Sequence, residues 1–216
     1  MRRHRYLLAS SPVVAKSLRR DARHAFVATA PLALDPTLYP RAPLDAEPVA
    51  GIIGTASWAP TCESMVRLIE DVWPRVRAQL PRAQLLVAGR GTDRLPRADG
   101  VAILGEVESA IEFLHRLSVL VFPLARGSGM KIKALEAIAC GIPVVTTRAG
   151  AEGLSGGRGV FVSEDDAVLA REVVRLLESP AEVQATGAAA REAFLAHHTP
   201  DPAVEPLLAL YERMAQ

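Results

Sequence analysis

The run "SVLVFPLARGSGMKIKALEAIACGIPVVTT", Ser118–Thr147, decides the fold. "SVLVFP" reads as a short strand, "MKIKALEAIAC" as a helix closed by Gly141, a residue suited to the left-handed position after a helix end, and "IPVVTT" as another strand. Strands that are apolar on both faces and joined through a helix belong to a parallel sheet covered on each side.

The same alternation extends outward in both directions. Upstream, "VAGIIGT" is a strand, and "TCESMVRLIEDVWPRVRAQL" spaces Met65, Leu68, Ile69, Val72 and Val76 as one face of a helix. Pro74 removes a backbone donor inside that pattern and is expected to kink or divide the helix. "AQLLVAG" and "GVAILG" are two further strands and "VESAIEFLHRL" a short helix. Downstream, "RGVFV" is a strand, and "DAVLAREVVRLLES", a segment opening at Pro180 and "PAVEPLLALYERMA" are helices. The fold class expected is α/β, a doubly wound parallel, Rossmann-like sheet flanked by helices over residues 49–198. Such sheets bind ligands beyond the carboxyl ends of their strands. Residues 1–48 read as strand, short helix, strand and a proline-punctuated linker, too little to bury a core alone.

Composition excludes more than it assigns. The 216 residues are 50% hydrophobic, enough for a core, and the net charge of +1 gives no overall pull toward nucleic acid. Cys62 and Cys140 share no metal-ligand or disulfide spacing, so free thiols in a cytoplasmic protein are expected. No apolar run approaches the ~20 residues that span a bilayer. The basic start, with Arg2, Arg3, Arg5, Lys16, Arg19, Arg20 and Arg23, reads as a solvated face; peripheral contact with anionic lipid is the less favoured alternative.

The chemistry concentrates between Gly127 and Glu136. A Gly-Ser-Gly loop running into a helix presents backbone N–H groups and the positive end of the helix dipole, which together make an anion seat. Lys131 and Lys133 add charges suited to a diphosphate. Glu136 stands three residues after Lys133 on the same face, where a carboxylate, an acceptor only, suits a diol such as ribose. An ordinary Lys133–Glu136 surface ion pair is the equal alternative. Ile132, Leu135 and Ala139 are expected to anchor the opposite face. The five histidines lie in no catalytic context; His197 and His198 close a helix, where a cation favours the dipole.

Taken in order, "GIIGTASWAPTCESM", "PRAQLLVAGRG", "VAILGEV", "VFPLARGSGMKIKALEAIACGIPVVTT" and "AGAEGL" resemble the C-terminal, donor-binding half of retaining glycosyltransferases of the GT4 type (glycosyltransferase group 1), which have the two-domain GT-B fold. The resemblance spans about Val49 to His198. It implies a nucleoside-diphosphate-sugar donor, held without metal or other cofactor by Gly54, Thr55, Arg90, Gly105, Glu106, Val107, Gly127, Ser128, Gly129, Met130, Lys131, Lys133 and Glu136. Within that set, Glu136 corresponds to the carboxylate on the nucleotide ribose, the 127–130 loop to the sugar and phosphates, and Gly105 to Val107 to the backbone at the base. The sequence departs from the family at Ser128, where many members carry a glutamate. It departs again in "GTASWAPT", which has no arginine or lysine and has Thr61 where a branch of the family has asparagine. Phosphate binding then leans on Lys131, Lys133 and Arg126.

The resemblance also implies that residues 1–48 are the remnant of an N-terminal acceptor domain plus linker, followed by the nucleotide-sugar-binding domain at 49–198 and a C-terminal helix at 199–216. A separate chain supplying the acceptor domain is the corresponding partner. Three functions remain open: a glycosyltransferase half acting on a glycan, lipid-linked or small-molecule acceptor, a non-catalytic nucleotide-sugar-binding module, and a sugar-nucleotide 2-epimerase of the same fold. No catalytic base is assigned.

Overall fold

The computed structural model describes residues 4–43, 47–127, 129–155 and 157–215; Arg2, Arg3 and Ser128 lie outside the described residues. Its first elements are a parallel pair, β1 (Tyr6–Ala9) and β2 (Phe26–Thr29), joined through helix α1 (Pro12–Asp21). Ser11 caps α1, its hydroxyl oxygen accepting the Val14 N–H at 3.1 Å while Pro12 sits at the first helical position. The apolar cluster here is small: among the described residues it is built on buried Ala9, Ala15 and Val27.

The main sheet contains β3 (Val49–Ile53), β4 (Gln84–Ala88), β5 (Val101–Gly105), β6 (Val119–Phe122), β7 (Val144–Thr146) and β8 (Val160–Val162). All six strands are parallel, in the order β5-β4-β3-β6-β7-β8. The chain winds outward from β3 to β5, then returns to the other side of β3 with β6. The switch point therefore lies between β3 and β6, where the loops after those strands part and leave a crevice.

Helices cover both faces, as strands apolar on two sides require. On one face Leu85 and Val87 of β4 meet α2 (Ala59–Arg67), α3 (Trp73–Gln79) and α6 (Asp166–Glu178). On the other, Leu86 and Ala88 meet α4 (Ala110–Leu114), α5 (Ile132–Ala139) and α7 (Pro180–His197). The predicted division at Pro74 is present. A π-turn at Leu68–Val72 separates α2 from α3, with the Trp73 N–H reaching back to the Leu68 carbonyl. The widened turn lets Pro74, which lacks a donor, enter at the start of a new helix. Gly141, at φ 74°, closes α5 as expected, with Gly141 N–H donating to Ile138 O at 3.1 Å and Ile142 N–H to Ala137 O at 2.9 Å.

The linker that follows β2 is fastened to the end of α7. His198 is fully buried, its Nε2 accepts the Ser155 N–H at 2.9 Å, and its Nδ1 lies 3.2 Å from the Leu32 carbonyl. One ring nitrogen must accept and the other donate, so the ring is a neutral Nδ1–H tautomer. This corrects the expectation of a helix-terminal cation at His198: burial disfavours the charged form, and the ring accepts a hydrogen bond that a cation could not. The Arg191 guanidinium donates to the carbonyls of Tyr39 (2.6 Å), Pro36 (3.3 Å) and Ala139. The final helix, α8 (Pro200–Ala215), packs on β1 and β2, with Arg213 4.3 Å above the Phe26 ring.

Burial lowers the His198 pKa from the ordinary 6.5. A depressed histidine pKa means that the unfolded chain binds the proton more readily, so its stabilising contribution is complete above pH 6.5 and is lost as pH falls below that value. Thermal melts at falling pH should show a decline that His198→Gln flattens. A pH slope equal in the two proteins contradicts a neutral His198.

Candidate donor-binding site

Every site position named from the sequence that falls among the described residues lies in a loop at a carboxyl end of β3 to β6, or in the helix that follows β6. Gly54 and Thr55 follow β3, Arg90 follows β4, Gly105 to Val107 close and follow β5, and Gly127 to Lys131 follow β6. Parallel pairing alone gathers them on one rim. The loops are also hydrogen-bonded to each other: Gly54 N–H donates to Ala88 O at 3.0 Å, Ala56 N–H to Arg90 O at 2.9 Å, and Gly89 N–H to Gly105 O at 2.7 Å.

Gly89 makes the first of these contacts sterically feasible. Its φ is 128°, and a Cβ there would fall on the Gly54 carbonyl oxygen. The "GRG" at Gly89–Gly91 is thus a close crossing of two strand ends. Thr61 is buried against Gly54, so its small side chain fills the floor of the first loop.

Glu136 is 8% exposed. Tyr39, in the linker, donates a long hydrogen bond of 3.4 Å to Oε1. The Lys133 ammonium lies 2.8 Å from Oε2, yet that buried oxygen accepts no hydrogen bond, the ammonium being out of line for one. The ion pair expected as an alternative does form, but its carboxylate is nearly buried and not a surface group. A carboxylate with four lone-pair sites and one long hydrogen bond has acceptor capacity to spare. Burial and the negative charge of Glu136 raise the pKa of Tyr39. Tyr39 carried no signal in the sequence, since nothing local to it points at a helix nearly a hundred residues away.

The basic groups are each engaged. Lys131 is the residue before the first turn of α5 and is 8% exposed, and its ammonium donates to the Gly129 carbonyl. Burial lowers its pKa, and the Glu152 carboxylate opposes that effect. Arg126 forks onto Glu63 of α2, with Nε 3.0 Å from Oε2. Arg90 and Glu106, both exposed, pair at 2.9 Å; the contact raises the arginine pKa and lowers that of the glutamate.

Two expectations need correction. Ile132, at the first helical position, is 52% exposed and does not anchor α5, while Leu135 and Ala139 are fully buried. The glycine loop also does not present all its N–H groups freely, because Gly129 N–H donates to Glu152 Oε1 at 3.0 Å. Met130 is buried and packs against Gly153. No group of three or more His, Cys, Asp or Glu side chains placed to hold a metal occurs among the described residues. Among the same residues no helix is long and apolar enough to cross a membrane.

The sequence pattern of the family described as "Glycosyl transferases group 1" matches residues 47–179, more than half of the chain. The chain belongs to that family. No curated protein matches the chain by sequence. Among solved structures, a variant of S. aureus TarM in complex with fondaparinux, α-GlcNAc-glycerol and UDP is similar, with a TM-score of 0.74 and 14% identity, covering 94% of this chain and 43% of TarM. Anabaena HepE in complex with UDP-glucose gives 0.73 and 14%, covering 98% and 64%. Sucrose-phosphate synthase from Thermosynechococcus elongatus gives 0.72 and 21%, covering 97% and 58%. These likenesses establish the fold, that of the C-terminal half of GT-B glycosyltransferases. The group 1 chain spans about half the length of these proteins.

A methyl group at Gly89 should cost about 3 kcal/mol or more, because positive φ and a backbone clash act together. In a chain of this size that lowers the melting temperature of Gly89→Ala by about 6–12 °C. An unchanged melt contradicts the close crossing of the Gly54 and Gly89 loops.

Proposed function

We propose that this chain is the donor-binding half of a glycosyltransferase that moves a sugar from a nucleoside-diphosphate sugar to a glycan, lipid-linked or small-molecule acceptor. The supporting observation is Glu136, a nearly buried carboxylate with unused acceptor capacity, one helical turn beyond a glycine loop at the switch point of a parallel sheet. A ribose diol fits that carboxylate by chemistry: two adjacent hydroxyls donate, and the long Tyr39 bond is the weakest contact to be replaced. Structures of the same fold in complex with UDP or UDP-glucose support a nucleotide ligand.

In this reading Lys131, Lys133 and Arg126 surround the diphosphate. Their charge favours departure of the nucleoside diphosphate as the bond from the anomeric carbon to phosphate oxygen breaks and the acceptor oxygen bonds to that carbon. Cationic side chains then carry the role a divalent ion has in other phosphate chemistry, so no metal is needed. Gly105 to Val107 face the base, Gly54, Thr55 and Arg90 line the near wall, and Gly129 and Met130 the sugar. Retention of anomeric configuration follows the family resemblance.

We further propose that residues 1–48 and α8 together belong to the acceptor-side domain, and that a separate chain supplies the rest of the acceptor surface. The packing of α8 on β1 and β2, from opposite ends of the sequence, supports treating them as one unit. The alternative is a module that binds nucleotide sugar and transfers nothing. Donor binding together with failure to transfer in the presence of any N-terminal partner favours it.

Calorimetry with UDP and UDP-glucose tests the reading. Glu136→Ala removes one or two charge-assisted hydrogen bonds, each about 1.5–3 kcal/mol, and should weaken binding roughly ten- to a hundredfold. Chelation with EDTA should leave the affinity unchanged. Equal affinity of wild type and Glu136→Ala contradicts the ribose role, and loss of binding on chelation contradicts the metal-free diphosphate site.

A further inference from the structure

Glu152, in the loop after β7, is a carboxylate that the donor-binding reading leaves without a part. Its loop is registered firmly against the glycine loop. Thr147 donates its hydroxyl to Leu124 O at 2.5 Å, and the Gly150 N–H donates to the same hydroxyl oxygen at 3.2 Å. Gly153, bare of a side chain, lies under Met130.

From that platform Glu152 Oε1 accepts two hydrogen bonds from separate parts of the molecule. One is the Gly129 N–H at 3.0 Å and the other is the hydroxyl of Ser11 at 2.6 Å. Ser11 is fully buried and is also the cap of α1, so a single carboxylate oxygen joins the N-terminal segment to the glycine loop. The Lys131 ammonium donates to the Gly129 carbonyl, and the Glu152 charge opposes the effect of burial on its pKa.

We propose that Glu152 is a built-in competitor of the donor diphosphate, taking the Gly129 amide until a phosphate displaces it, and thereby coupling donor binding to release of Ser11. The inference rests on the diphosphate occupying the glycine loop as proposed above. One N–H cannot serve a carboxylate and a phosphate oxygen equally, and two anions at hydrogen-bond range of one amide repel. Because Ser11 holds the same oxygen, occupancy of the loop and attachment of α1 become linked. By reciprocity, the α1 contact weakens donor binding by the same factor by which a bound donor weakens that contact.

Glu152→Gln tests this, since the amide oxygen can still accept from Gly129 and Ser11 while the charge is gone. Calorimetry should show UDP bound more tightly than by wild type, by roughly fivefold or more, with the advantage shrinking as salt is raised. A residue that merely shaped the loop would instead lower the affinity when changed. Ser11→Ala gives a second route that leaves the carboxylate in place. It should tighten UDP binding by a smaller factor, and that gain should vanish in the Glu152→Gln background. If wild type binds UDP and the Glu152→Gln affinity is equal or weaker, the competitor role falls and the donor reading stands. If neither protein binds UDP, both fall. Binding by Glu152→Gln alone supports the competitor role most strongly.

Discussion

The constraint on which this molecule turns is that α5 must be apolar enough to lie in the middle of a parallel sheet's cover and still carry a carboxylate at its inner turn. Ala134, Leu135, Ala137, Ile138 and Ala139 are fully buried, and Glu136 is among them with 8% exposure. A charge so placed costs free energy unless something answers it. Lys133 answers part of that cost from the next turn and Tyr39 a little more, but Oε2 is left without a hydrogen bond. An under-satisfied buried group of this kind, at the switch point of an α/β sheet, is what the proposed ribose contact would complete.

A second theme is the way distant segments converge on the same rim. The linker after β2 is bound to α7 through His198 and Arg191, which places Tyr39 against Glu136. The α1 cap reaches the glycine loop through Glu152. Both connections begin in the first 40 residues, so the N-terminal segment meets this rim at two points, Glu136 and the glycine loop. Cys140, between them at the end of α5, is a packing residue: burial raises its thiol pKa to about 11, which leaves it unreactive at neutral pH.

Much of this was legible in the sequence. The six strands from "VAGII" to "GVFV" and the helices between them follow directly from apolar runs and their punctuation, because a strand buried on both faces and a helix with one apolar face leave different periodicities. Pro74 and Gly141 marked a helix division and a helix end for local steric reasons that operate in any context. Gly127, Gly129, Lys131, Lys133 and Glu136 could be singled out because their chemistry is concentrated in ten residues. What could not be read was long-range: that Tyr39 and Glu152 reach the same site, that His198 is neutral because it is buried, and that Gly129 N–H is already taken. Ile132 was misread for a simpler reason, since apolar periodicity does not tell where on the first turn the core ends.

Membership of the group 1 glycosyl transferases and the GT-B half-fold rest on the whole of residues 47–179 and on the sheet they build. The proposed donor site depends on one carboxylate, Glu136, and one loop, at Gly129. A crystal structure with UDP-glucose bound tests it most directly. The ribose hydroxyls should lie within hydrogen-bond distance of Glu136, with the diphosphate at Gly129 and Lys131. A nucleotide bound elsewhere, or a ribose turned away while the Lys133–Glu136 pair and the Tyr39 contact persist, contradicts it.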